Sequence, residues 1–162
     1  NKGGNYRNWY GNRELLINFQ NSGENIKRYG DKEGTSYDIN AQDVYFHKGI
    51  TWTALTSSKN SFRFSPTGCV FDSNKGPMIF PNSEIQTYYI LALLNSHIAQ
   101  EIFKLLNPSL SLQNGDVDKL PVYFTNDSQE SVVAMSKENV ILSKSDWDSY
   151  ETSWDFTKSP LI

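Results

Sequence analysis

SEIQTYYILALLNSHIAQEIFKLLNP, residues 83–108, is the stretch whose reading decides the fold. It is the one long apolar segment of the chain, and it carries its own start and stop signals. Ser83 followed by Gln86 is the pattern of a capping box, in which the hydroxyl accepts from the backbone and the amide reaches back. Pro108 ends the segment, because it has no N–H and pushes Asn107 out of helical geometry. Asn95-Ser96 is a joint, either residue being able to cap a second helix. The spacing therefore predicts two consecutive helices, about 84–94 and 96–106. The first is apolar nearly all round and should be buried; the second shows one stripe, Ile98, Ala99, Ile102, Phe103 and Leu106.

Upstream, short alternating runs punctuated by turn residues predict strands at 14–20, 50–55, 61–64, 68–72 and 78–80. Residues 21–43 read as a long loop with a short helix near 24–29. Downstream, 106–122 is a loop with a Gly115-Asp116 turn, followed by an exit strand at 120–124. The fold class expected is α+β: a small twisted, mostly antiparallel β-sheet, then the two-helix segment, then a polar C-terminal tail. The corresponding division is 1–124, with β-rich 1–82, helical pair 83–107 and exit loop and strand 108–124. The remainder, 125–162, reads as an acidic tail with an extended piece at 139–142 and a short helix from Ser145. Trp147 and Trp154 are its expected anchors.

With 162 residues, 14% aromatic content and a single cysteine, the chain can form one modest core and no internal disulfide. Cys69 reads as a small core residue. No apolar run reaches the roughly 18–20 residues of a membrane span, and nothing resembles a signal peptide at the start, so a cytoplasmic location is expected. Absence of an initiator Met suggests a piece of a longer protein. Net charge is −3, yet residues 1–68 hold nine Lys/Arg against six Asp/Glu while 69–162 hold six against twelve. That asymmetry suits a binding face in the first half. His47 and His97 are isolated, without a second ligand at metal spacing.

Several segments taken in order resemble one family: KGGNYRNWYGN (2–12), GITW (49–52), SFRFSP (61–66), LALLNS (91–96), LNPSLSLQNGDVDKLPV (106–122) and DWDSYETSWD (146–155). They resemble the target-recognition, or DNA-specificity, domain in the C-terminal region of BREX/PglX-like phage-defence adenine-specific DNA methyltransferases and their type II restriction-modification relatives. The resemblance implies a non-catalytic piece that binds duplex DNA and reads a short sequence for a separate catalytic domain of the same polypeptide. S-adenosylmethionine would bind in that absent catalytic domain. The sequence agrees, since it holds neither a Gly-rich cofactor loop nor the Asn/Asp-Pro-Pro-aromatic loop that grips adenine. Asn107-Pro108-Ser109 imitates the latter for two residues only, and a helix stop is the better account.

Donors set among aromatics are the candidate DNA-binding residues. Arg7 could fork onto a phosphate or guanine, and Asn8 or Asn12 could pair with adenine, with Trp9 and Tyr10 orienting the loop. Ser57, Ser58 and Lys59 form a hydroxyl-rich turn suited to phosphate. Arg63 alternates with Phe62 and Phe64 and is expected on the polar face of its strand, available to DNA or to Asp72. Lys2 and Lys75 complete the set. The rival reading, from another class, is a protein-interaction module docking a second subunit through the helical pair and acidic tail.

Overall fold

The computed structural model describes residues 1–37, 39, 41–57, 59–124 and 126–159. Among these the element order is α1 (Gln20–Glu33), β1 (Gly49–Trp52), β2 (Phe62–Ser65), β3 (Met78–Ile79), α2 (Glu84–Asn95), α3 (His97–Leu106), α4 (Asn114–Val117) and α5 (Asn126–Asp148). The α+β class expected from the sequence is what forms. The sheet is antiparallel in the order β2-β1-β3, with Thr51 opposite Arg63 and Met78, and Ile50 opposite Phe64 and Ile79.

The register gives the sheet two unlike faces. Ile50, Trp52, Phe62 and Phe64 share one; Thr51, Arg63 and Ser65 share the other. The apolar face packs on the helical pair, where Phe62 lies 5.9 Å from Phe103 and Phe64 stacks on Tyr88 at 5.5 Å. The helical pair starts and stops as its caps dictate: Ser83 Oγ accepts from Gln86 N, and Ser96 Oγ accepts from Ala99 N. Asn95 does not cap. Its side-chain amide donates to Phe62 O and accepts from Phe62 N, both at 3.0 Å, and so ties the α2–α3 joint to the β2 edge. Leu91, Leu94, Ala99 and Phe103 are buried, while Ile98 and Leu106, expected in the same stripe, are exposed.

Several sequence expectations are corrected. Residues 139–142 are helical, and the short helix from Ser145 is the end of the 23-residue α5. This helix packs chiefly against α2 and contributes Val140 and Trp147 to the same core cluster as Trp52 and Leu94. Its apolar positions are spaced irregularly, so tertiary packing rather than a clean sequence period holds it in place. On its outer side Glu84 takes ion pairs from Lys137 at 2.6 Å and Lys48 at 3.5 Å. The strand expected at 14–20 does not form, nor does the exit strand at 120–124. Residues 68–72 form no strand either, although Phe46 N donates to Cys69 O and Asp72 N to Asn1 O. The Gly115-Asp116 turn is the short helix α4, Asp116 Oδ2 accepting from Gln113 N. The helix expected near 24–29 is present within α1, after a left-handed entry at Asn21, Ser22 and Gly23.

No described helix is long and apolar enough to cross a membrane.

Candidate nucleic-acid interface

The candidate residues divide into three places. The first is the N-terminal loop. Trp9 N donates to Phe62 O and Phe64 N donates to Trp9 O, both at 2.8 Å, so the loop lies along β2 like an added parallel strand. It covers the sheet's polar face: Asn1 Nδ2 donates to Ser65 Oγ at 2.7 Å, and Arg7 O faces the Arg63 guanidinium. Arg63 is consequently 1% exposed, which corrects its expected placement on a solvent-facing surface. Alternation did put its side chain opposite the Phe rings, but a loop rather than water covers that face. Its contacts are long, 3.3–3.5 Å, to Arg7 O, Ser61 O and Oγ, and Thr53 Oγ1, and its Nε has no partner among the described residues. Burial, with Arg7 adding repulsion, lowers its pKa to about 10, still charged at neutral pH.

Arg7 is turned onto α5. Its Nε donates to Tyr10 O at 2.8 Å and its Nη2 to Ser143 O at 3.2 Å and Asp146 Oδ2 at 2.5 Å, with the guanidinium 5.1 Å over the Trp147 ring. Ser143 Oγ is shared between Asn8 O and Tyr10 O. Gly11 makes this fold possible: its φ is +124°, and a Cβ there would lie 2.5 Å from Arg7 Nε. Tyr10 is buried, Trp9 half-buried against the core, Asn8 Nδ2 donates to Tyr6 Oη, and Asn12 Nδ2 donates to Asn5 O. Nearby, burial disfavours the charged form of Lys144, but Asp148 and Asp155 more than offset it, raising its pKa. The loop is thus a structural clamp, with its polar groups largely spent internally.

The second place is a cleft of about 630 Å³ lined by Thr56, Ser57, Lys59 and Asn60 on one side and the end of α3 on the other. Thr56 N donates to Leu110 O and Leu112 N to Ala54 O, which fastens the 107–112 loop beside the turn. Asn107 shapes that loop, its Nδ2 donating to Ser111 O and Asp116 Oδ2, both at 2.6 Å. Lys59 and Ser57 are exposed on one wall; Lys104 is exposed on the other, with Gln100 and Ser109 beside it. Glu101 pairs with Lys104 at 2.7 Å, an exposed contact that water and salt weaken. Ser58 lies outside the described residues. Lys59, Lys104, the Ser57 hydroxyl and the Asn60 amide line this cleft, donors of the kind that grip a phosphate backbone, whereas Gln100 Nε2 is given to Leu94 O at 3.3 Å and Ser109 Oγ to Ser111 O at 3.2 Å. Lys104, Gln100 and Ser109 were missed from sequence. Lys104, three residues before the Asn107-Pro108 stop, was the available signal, because a Lys in a helix's last turn sits beside whatever loop follows.

The third place is the rim of a larger groove of about 1280 Å³, where Lys2 and Lys75 are exposed and Asp72 Oδ1 accepts from Asn74 N and Lys75 N. The structure therefore does not bring Lys2, Arg7, Lys59 and Arg63 into one open surface: Arg63 is buried, Arg7 is held by α5, and Lys59 and Lys2 line separate clefts. No cluster of metal-binding side chains occurs among the described residues.

Comparison with known proteins is consistent with the resemblance read from the sequence. No family model matches the chain. It is 36% identical over 163 aligned residues to the adenine-specific methyltransferase BrxX of Escherichia coli O9:H4 (strain HS), covering 99% of this chain. It is 38% identical over 165 aligned residues to the adenine-specific methyltransferase PglX of Lacticaseibacillus casei (strain Zhang), covering all of it. The chain spans about 13% of the length of each, so what it matches, from end to end, is one segment of BrxX- and PglX-type adenine-specific methyltransferases.

Proposed function

We propose that this chain is the DNA target-recognition segment of an adenine-specific DNA methyltransferase of a phage-exclusion or restriction-modification system, and that it performs no chemistry itself. What supports the reading is the Lys59–Lys104 cleft in a chain that aligns from end to end with adenine-specific methyltransferases. Phosphates of duplex DNA seat against Lys59, Lys104 and the Ser57 hydroxyl and supply most of the affinity. Base edges are read from the loops flanking that cleft, while S-adenosylmethionine and the flipped adenine are held by a catalytic domain elsewhere in the polypeptide. Arg7 serves the site indirectly, by fixing the N-terminal loop to α5.

The rival reading is a subunit-docking module built on the helical pair and the acidic segment; α5 packs on α2 and α2 on the sheet, which leaves it the outer faces, where Ile98 and Leu105 of α3 and Ile141 and Leu142 of α5 are exposed.

The test is a salt titration of binding to a labelled duplex. Lys59→Ala and Lys104→Ala should each flatten the log–log salt slope by about one unit, because each removes roughly one displaced counterion. Wild-type slopes in both variants, with the melting curve unchanged, would remove the cleft from the interface.

A further inference from the structure

The sequence reads Glu14–Asn18, ELLIN, as a strand, and the structure leaves it without one. Leu15, Leu16 and Ile17 stand in a row at 71%, 75% and 54% exposure. Among the described residues, no backbone N–H or C=O from Glu14 to Asn18 makes a hydrogen bond. The segment is nonetheless not a flexible polar turn: no residue between Asn12 and Asn21 has left-handed backbone, and aliphatic residues of this kind favour a pleated, half-buried surface. It borders the larger groove, whose lining includes the apolar and aromatic residues Ile26, Tyr45, Phe46 and Phe71 together with polar ones such as Lys2 and Asp72. A row of backbone groups without partners among the described residues, beside a groove with apolar lining, is the layout used for strand addition, where the backbone supplies affinity and alternate side chains supply fit.

We infer that Glu14–Asn18 is one half of an intermolecular-looking but intrachain strand pair, completed by an extended, aliphatic-rich segment from elsewhere in the parent polypeptide. This rests on the reading that the chain is a segment of a longer methyltransferase. The relatives argue for that source: about seven-eighths of their length lies outside the aligned region, so the completing strand would be tethered at high effective concentration. A five-residue pairing is also close to the usual strand length, about 17 Å. The inserted strand places every second side chain in the groove and leaves the others outward.

Amide hydrogen exchange on the intact polypeptide, without DNA or cofactor, tests this. Strand pairing along one edge engages alternate amides, so every second N–H from Glu14 to Asn18 should exchange at least about 100-fold more slowly than in an unstructured peptide, with the intervening ones fast. Leu16→Pro should abolish the alternation while amides of α2 and α5 keep their protection. Exchange at unstructured rates throughout 14–18 overturns the inference. Uniform protection overturns strand addition, and protection that grows with protein concentration overturns the intrachain source in favour of a second copy. None of these readouts involves DNA, so failure of the DNA-recognition reading would show separately, in the salt titration.

Discussion

Arg7→Ala separates a structural clamp from a base reader. The side chain donates to Tyr10 O at 2.8 Å from a half-buried position, a charge-assisted bond worth about 1 kcal/mol once partial exposure is allowed for. The ion pair to Asp146, whose side chain is 59% exposed, adds about 0.5 kcal/mol. Stacking over Trp147 adds about 0.5–1 kcal/mol. Removing all three should cost about 2–2.5 kcal/mol, and for a chain of this size lower the melting temperature by about 4–10 °C. Thermal unfolding followed by circular dichroism measures this directly. Where the variant is folded, duplex binding should keep its salt slope and its sequence preference. A double-mutant cycle with Asp146→Ala should return a coupling of about 0.5–1 kcal/mol. A variant that melts like the wild type but loses discrimination at one base pair would refute the clamp and restore Arg7 to the DNA.

Other outcomes follow from the packing and the charges. Leu94→Asp, at a site 1% exposed, should leave no cooperatively folded protein, since an unpaired buried carboxylate costs several kcal/mol of a total margin of about 5–15; a cooperative melt near the wild-type temperature would mean the core lies elsewhere. Deleting α5 should likewise unfold the chain rather than simply remove negative charge, because Val140 and Trp147 belong to the core cluster; a folded product with tighter DNA binding would contradict the packing. Asp116 is held below its ordinary pKa of 3.8, chiefly by the Gln113 N–H, which with Asn107 and Lys119 outweighs the opposing burial penalty. A depressed carboxylate stabilises the fold above its unfolded pKa and loses that contribution as pH falls through the folded value. Asp116→Asn should therefore flatten the stability decline below about pH 4 seen in denaturant melts at stepped pH, and an unchanged acid limb would refute the assignment.

The parts of the fold legible in sequence are those whose signals are local. Ser83, Ser96 and Pro108 bound α2 and α3 through caps and a missing N–H, and Phe62-Arg63-Phe64 set which side chains share a face. What escaped depends on distant partners. Arg63 alternates as expected, yet whether water or a loop lies over it is decided by residues 1–13, fifty or more positions away. The α5 helix has no clean apolar stripe and exists because α2 offers it a surface. Glu14–Asn18 carries strand chemistry with no strand beside it among the described residues. In the candidate site, the hydroxyl-rich turn was legible as a turn with a lysine. Its opposite wall, Lys104 and the Asn107 loop, was not, because only the tertiary fold brings α3's end to the turn.

The most direct measurement of the central claim is a segment exchange. This chain replaces the aligned segment of the E. coli BrxX relative, and adenine methylation across the host genome is then read by modification-sensitive sequencing. If the chain carries target recognition, methylation persists and the methylated sequence changes to a new one, set by the incoming segment. Methylation continuing at the host enzyme's original sequence would contradict the account.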